Sequence, residues 1–451
     1  MNQIKNDFSS GSVKRQILAQ ALPLTAAQAV QLLYNVVDRI YIGHLEGEGE
    51  LAMTGLGITF PIIVLVAAFT CLFGTGGTAL FSIARGQKDE KEAEGILGNA
   101  FLLLLGSSIL LTLFCYLFKG PILRLFGASD ASFVYANDYL TVYIAGTVFS
   151  MLGTGLNGYI NAQGFPEIGM CTTVIGAVIN IILDPIFIFL LDMGVQGAAL
   201  ATVISQAFSA IWVLCFLLGK RAVLRLKREA LRPKGGRIKK IMAMGLPGFV
   251  MQATNSAVSI TCNNQLQLYG GELGDLYVGI LTVIGSVRDL VSLPVMGISQ
   301  GAQPVLGFNY GAGKKDRVKE GIRFTTILGA VYTLVAWVVI MLVPQWFIGL
   351  FGGEGQTVPL GAQMMNIYFF GFFFMAFQFA GQTTFQALGR AKEAIFFSLL
   401  RKALIVVPLT LILPALFGLG VKGVFLAEPI SNALGGIACF VTMWLTVYRR
   451  L

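Results

Sequence analysis

Apolar residues run through this chain in long, nearly unbroken stretches separated by short polar breaks. In the first half the stretches fall at 16–42, 51–80, 94–117, 133–158, 166–191 and 195–218. In the second they fall at 241–268, 276–306, 319–343, 360–386, 394–417 and 422–447. Each has about the length at which an α-helix crosses the hydrocarbon core of a bilayer, roughly 20 residues or more. Helices satisfy their own backbone hydrogen bonds in lipid, so apolar runs this long predict helices and not strands. The expected fold class is an all-α polytopic membrane protein with twelve transmembrane helices. The polar breaks are too short to fold as soluble domains.

Composition supports that reading. Of 451 residues, 55% are hydrophobic and only 12% are charged, too few charges for the surface of a soluble chain this long. Many of the 54 glycines and 14 prolines lie inside apolar runs, where they permit close helix packing and kinks. The cysteines at 71, 115, 171, 215, 262 and 439 fall in or beside spans, without a CxxC pair, and His44 is the single histidine. A metal site of thiolates and imidazoles is not expected, nor any cofactor. Residues 1–15 are polar and precede a long apolar run followed by many others, so no cleavable leader is expected.

The net charge of +9 matters through its distribution. With the N-terminus inside, interior segments carry 24 Lys and Arg, ten of them at 220–240. The exterior loops hold only Lys119, Arg124 and Lys422, and the 42–50 loop carries Glu46, Glu48 and Glu50. This asymmetry predicts cytoplasmic termini, an even number of crossings and residence in a bacterial cytoplasmic (inner) membrane. No aromatic residue interleaves the 220–240 cluster to stack on bases. Anionic headgroups are therefore its expected partner, and nucleic acid is not.

The two halves repeat. GVQGAALATVIS at 194–205 matches GVKGVFLAEPIS at 420–431, and Ala162-Gln163-Gly164 matches Ala387-Leu388-Gly389. Pro23 matches Pro247, and the turn Gly86-Gln87-Lys88-Asp89 matches Gly313-Lys314-Lys315-Asp316. The spacing between partners is nearly constant, so the register persists from the first span of each half to the last. Each copy has an even number of spans, so both begin on the same side as parallel repeats. The expected organisation is a six-helix lobe at 1–218, a basic linker at 219–240 and a second, pseudo-symmetric six-helix lobe at 241–451. Two such lobes can alternate access to a cavity between them.

Ionisable residues inside a membrane are costly and point to function. Asp38 sits late in span 1. Asp184 sits in span 5, followed by Pro185, with Asn180 four residues before it on the same helical face. Thr202 in span 6 adds a hydroxyl. These four residues make a candidate coupling site for H⁺ or Na⁺. Two crowded carboxylates favour sharing a proton, and converging oxygens suit sodium. The competing reading is that each acid neutralises a buried cation or ends in the headgroup region, and Arg39 beside Asp38 keeps it open.

The second half lacks this pair, because Asp38 corresponds roughly to Cys262. Span 7 instead carries Gln252, Asn255, Asn263, Asn264, Gln265 and Gln267, which suits a hydrogen-bonding cavity wall. Arg288 and Asp289 are adjacent, do not share a helical face, and are expected to pair with other helices. Arg401 and Glu428 are similar cases. Span 10 combines Tyr368 and several phenylalanines with Gln378 and Gln382. That mixture suits flat, lipophilic or cationic compounds held by stacking and cation–π contact. The expected substrate cavity thus includes Gln252, Asn255, Arg288, Gln378 and Gln382, with Tyr34 and Asn157 from the first half.

ALPLTAAQAVQLLYNVVDRIYIG in span 1, INIILDPIFIF with the following GVQGAALATVISQ, and GAQPVLGFNYGAGKKDRV after span 8 together resemble the multidrug and toxic compound extrusion (MATE) family. The resemblance spans essentially the whole chain and favours its DinF-like and MepA-like branches. The NorM-like branch typically carries a functional carboxylate in span 7, and none lies between Leu246 and Leu268 here. The resemblance implies two lobes in a V, and an inward H⁺ or Na⁺ gradient driving export of organic cations, dyes and antibiotics. It places the family's N-lobe cation site on Asp38, Asn180, Asp184 and Thr202, with Tyr34 and Asn157 nearby. A monomeric secondary active transporter, not an enzyme, is expected. The chain has no GxxxxGK[ST] motif for a nucleotide. A flippase for a lipid-linked precursor is the alternative. It would want a strongly cationic cavity, and the spans offer chiefly Arg288, Arg401 and Arg39.

Overall fold

The structure, a computed structural model, describes residues 7–43, 45, 49–350, 357–416 and 418–451. His44, Glu46 and Glu48 lie outside these residues, as do the side chains of Arg39 and Glu50. The first half contains α1 (Val13–Gly43), α2 (Gly49–Gly86), α3 (Glu90–Leu125), α4 (Asp130–Ala145), α5 (Thr147–Ala162), α6 (Pro166–Pro185) and α7 (Gly194–Leu218). The second contains α8 (Gly235–Gly270), α9 (Gly274–Gly311), α10 (Lys315–Leu342), α11 (Pro344–Leu350) and α12 (Thr357–Phe369). It ends with α13 (Met375–Ala387), α14 (Ala391–Leu399), α15 (Val407–Ile412) and α16 (Val421–Met443). Among the described residues ten helical segments are long and apolar enough to cross a membrane, or eleven with the bent α4–α5 pair. The fold is all-α and polytopic. Several helices run past the apolar stretches because hydropathy marks the bilayer, while helical hydrogen bonding continues into water. Thus α2 reaches Gly86, through Arg85.

Where the helices break, the sequence supplies the reason. The α4–α5 pair bends by 56° at Gly146, where a β-carbon would collide with Val203 of α7. At Gly371, between α12 and α13, a β-carbon would lie 2.6 Å from the Pro429 carbonyl of α16. Gly146 precedes Gly164 by the same stretch of chain as Gly371 precedes Gly389, so the break recurs in both repeats. Pro185 cannot donate a backbone N–H, and after it α6 opens into a π-helical turn at Ile186–Leu190. The turns repeat as well. Gly164 and Gly389 both take positive φ, as do Gly194 and Gly420. Lys88 and Gly313 also share this conformation. The structure therefore aligns Lys88 with Gly313, where the Gly-x-x-Asp pattern aligned Gly86 with it. Backbone conformation, not residue identity, defines equivalent turn positions.

The chain divides into two compact units whose limits differ from the sequence repeat. The first contains Leu22–Phe249; the second contains Ser10–Ala21 and Val250–Leu451. Pro23 and Pro247 lie beside these limits. Close backbone packing explains the exchange of helix starts. In the first unit, a β-carbon on Gly76 of α2 or Gly245 of α8 would strike the backbone of the other helix. In the second, a β-carbon on Gly301 of α9 would meet the Ala21 nitrogen of α1 at 2.6 Å. The basic 219–240 segment is docked on the first unit. Arg237 donates twice to Glu92, Lys227 reaches Glu94 at 2.7 Å, and Asn99 bonds both Arg232 and Lys234 backbone. Gly245→Ala is expected to lower stability by about 1–3 kcal/mol, because the obstructing atoms are backbone and cannot rotate away. Thermal unfolding in detergent reads this, and an unchanged midpoint would refute the close-packing account.

Candidate functional site

In the first unit α6 presents Asn180 and Asp184 one turn apart, facing Thr202 on α7. The Asn180 amide donates to Asp184 Oδ1 at 3.2 Å and to Thr202 Oγ1 at 3.4 Å. Both α6 side chains are fully buried. Asn180 Oδ1 and Asp184 Oδ2 accept no hydrogen bond from the described residues. Nor does any Lys, Arg or His among them form an ion pair with Asp184. Asp38 lies near enough for its charge to act on Asp184, Tyr34 and Tyr139. Tyr34 is one turn before Asp38 on α1. Tyr139 and Tyr143 of α4 stack at 5.8 Å between centroids, both buried.

Two nearby carboxylates repel each other, and burial strips the hydration of Asp184 fully and of Asp38 in part. A buried acid without a basic partner needs a cation. The open Asn180 and Asp184 oxygens and the Thr202 hydroxyl supply acceptors for one. The predicted four residues thus share one neighbourhood. Asn157 does not join it visibly. Its amide donates to the Gly169 carbonyl, and its Oδ1 accepts from Thr172 at 3.0 Å, which ties α5 to α6 about two turns before Asn180. Sequence reading missed Tyr139 and Tyr143. They sit in a span of ordinary amphipathic appearance, and only the packing of α4 turns them toward the acids.

The second unit contains a cavity of about 300 Å³ lined by residues of α8, α9, α12 and α16, together with Val406 and Thr410. Four of its members occupy repeat positions of the first-unit cluster. Cys262 stands for Asp38, Thr410 for Asp184, Glu428 for Thr202 and Tyr368 for Tyr143, in nearly the spacing that separates Gly164 from Gly389. Cys262 Sγ lies 3.9 Å from Thr410 Oγ1. Glu428 pairs with Arg401 at 3.2 Å, as the expectation of an interhelical partner allowed, and with Lys402 at 3.0 Å. Lys402 escaped notice in the sequence because it abuts Arg401 in an otherwise apolar span. It lies in a π-helical stretch at Leu400–Val406, which turns both neighbours onto one acid.

Arg288 grips Asp289 at 2.8 Å and also reaches another helix, donating to the Tyr368 hydroxyl of α12 at 3.1 Å. A long flexible side chain can fold back where helical faces diverge. Gln378 is buried and donates to Gln382, which in turn donates to Ala394 and Ser398 of α14. This chain binds helices together, and neither glutamine lines the cavity. Of the span-10 aromatics only Tyr368 reaches the cavity. Phe369 and Phe372 are core, and Phe377 packs on Phe440. On α8 this cavity is lined by Val258, Ser259, Cys262 and Asn263, and Gln252 and Asn255 lie outside the lining.

Comparison with known proteins places this architecture. The MatE family model matches residues 23–186 and 255–412. Multidrug export protein MepA of Staphylococcus haemolyticus strain JCSC1435 is 26% identical over 443 residues, which cover 98% of this chain and 95% of that protein. MepA of Staphylococcus aureus strain MSSA476 is 24% identical over 438 residues, covering 97% and 95%. Among solved structures, an outward-facing multidrug resistance MATE family transporter of the MOP superfamily superposes with a TM-score of 0.91 at 23% identity over 99% of each chain. A MATE in the bent conformation gives 0.91 at 23%, covering 99% of this chain and 98% of that one. With the matched model spanning most of the chain and the helical plan shared end to end, this protein belongs to the MatE family.

Proposed function

We propose that this protein is a cation-coupled secondary active exporter of organic, often cationic, compounds, working by alternating access in a bacterial cytoplasmic membrane. The observation that carries the coupling is the buried Asn180–Asp184–Thr202 group near Asp38, with acceptor oxygens open to a cation. The MepA relatives, named as multidrug export proteins, support the cargo class. Twelve crossings in two six-helix repeats follow if the bent α4–α5 pair is one span and the 77-residue helical run Gly235–Gly311 crosses twice, as α8 and α9. That run is far too long for one span. An even number of crossings puts both termini on one side, and the positive charge of the interior segments makes that side the cytoplasm. The protein works as a monomer.

In the cycle, a cation entering from outside occupies the acids on α1 and α6 and draws those helices together. Pro23 and the π turn after Pro185 give each helix a place to bend. Bound cation and bound cargo are favoured by different states, so a gradient of one drives the other. Reopening inward releases the cation.

The test is efflux of a planar cationic dye from proteoliposomes with ΔpH and ΔNa⁺ imposed separately. One gradient should drive export and the other should not. If sodium is the ion, Asn180→Ala and Thr202→Ala each weaken its half-saturation by roughly tenfold, because each removes an oxygen environment worth about 1 kcal/mol or more. If the proton is the ion, both variants keep most of their activity. Export that responds to neither gradient would refute the coupling.

A further inference from the structure

We propose that the cavity of the second unit binds a carboxylate carried on a flat apolar body, as the anion-accepting counterpart of the cation cluster in the first unit. The repeat register exposes the difference. At the positions of Asp38 and Asp184 the second unit has Cys262 and Thr410, so both acids are gone. Bases have been added around the same space. Arg288 lines the cavity, and Arg401 and Lys402 stand directly behind its single lining acid, Glu428.

The charges there do not cancel. Lys402 and Arg401 both engage Glu428, at 3.0 and 3.2 Å, so that its one negative charge meets two positive ones. Among the described residues Arg288 forms its ion pair with Asp289, which is 58% exposed and outside the lining, while Glu428 acts on it from across the cavity. The remaining bond of Arg288 goes to the neutral Tyr368 hydroxyl. Three cations therefore face two carboxylates, one of them weakened by solvent. A guanidinium also has N–H groups to spare beyond these bonds, in a planar fork that fits a carboxylate.

The rest of the lining selects the body of the ligand. Val258, Leu281, Val406 and Val424 make an apolar wall, and Tyr368 adds an aromatic ring. A space of about 300 Å³ takes a body of one or two rings. A single facing guanidinium neutralises a monovalent acid, whereas a phosphate dianion would need more donors. The site rests on the geometry of the second unit alone; that its acid is exported cargo rests on the transport reading above.

Purified protein in detergent, titrated calorimetrically, tests this with three probes sharing one ring system: 2-naphthoate, 2-naphthamide and 2-naphthylmethylammonium. The acid should bind roughly tenfold or more tightly than the amide, and the ammonium most weakly. Arg288→Gln should lose most of that preference and Arg288→Lys should keep much of it. Thr282→Asp, at an exposed position in the lining, should weaken the acid and strengthen the ammonium without disturbing the core. Equal binding of acid and amide, preference for the ammonium, or binding indifferent to both Arg288→Gln and Thr282→Asp overturns the proposal. So does an absence of binding by the acid at millimolar concentration. No gradient is needed for binding, so a protein that binds the acid yet exports nothing refutes only the transport reading.

Discussion

Asp38→Asn and Asp184→Asn are each expected to reduce gradient-driven dye efflux to the leak rate while the protein still inserts and remains monodisperse. Asparagine keeps the size of aspartate and most of its hydrogen bonding. It removes the charge that holds a cation away from water. Losing one carboxylate from a buried ion site costs about 3 kcal/mol or more, a factor of roughly 100 in cation occupancy. Folding should not suffer, because Asp184 has no basic partner among the described residues that the substitution would strand. Its Oδ1 contact with the Asn180 amide is open to the asparagine carbonyl. Initial efflux rates in proteoliposomes, beside size-exclusion profiles of each variant, measure both. Wild-type rates in Asp184→Asn would remove it from the coupling site. Aggregated protein would instead mark the acids as structural.

Glu428→Gln should behave in the opposite way, with a large loss of stability. Its carboxylate is the shared partner of Lys402 and Arg401, and Glu428 and Lys402 side chains are 8% and 5% exposed. Taking away one member of a buried ion pair leaves the other uncompensated, at a cost of about 3–5 kcal/mol. Here two cations are stranded at once. Adding Lys402→Met should restore part of the loss, since Arg401 keeps its bond to Asn432 Oδ1 at 2.8 Å. Thermal unfolding in detergent of the single and double variants forms the comparison. An unchanged midpoint in Glu428→Gln, or no recovery in the double variant, would show that these groups do not support one another. The contrast with Asp184 follows from partners, not burial: one acid is neutralised by its neighbours and the other is not.

The helices and the repeat were legible because their causes are local. A run of apolar residues must close its own backbone bonds in lipid wherever it occurs, so its length announces a crossing. Turns that demand left-handed backbone, such as Gly164 and Gly389, leave a mark in each copy. The acids on α1 and α6 were legible for a related reason, since ionised groups are rare in such runs. Asn180 followed from helical periodicity alone. Lys402 and the two tyrosines of α4 were not legible, because nothing about a lysine beside an arginine, or a tyrosine in an amphipathic span, says what lies across the helix interface. The partners of the span-10 glutamines were hidden for the same reason. Their polarity suggested a cavity wall, and packing turned them to α14.

The sequence by itself determined the all-α membrane fold, the duplicated plan, and which acids stand inside an apolar span, because hydropathy, turn chemistry and helical period act over a few residues. Tertiary structure decided how the starts of α1 and α8 are exchanged between units, through glycine contacts between helices far apart in the chain. It also decided which charges cancel. Asp184 and Glu428 look alike as single acids in apolar runs, yet among the described residues one meets an amide and no cation, and the other two cations. Charge compensation depends on distances of a few ångströms across helix interfaces, and those exist only once the helices have packed.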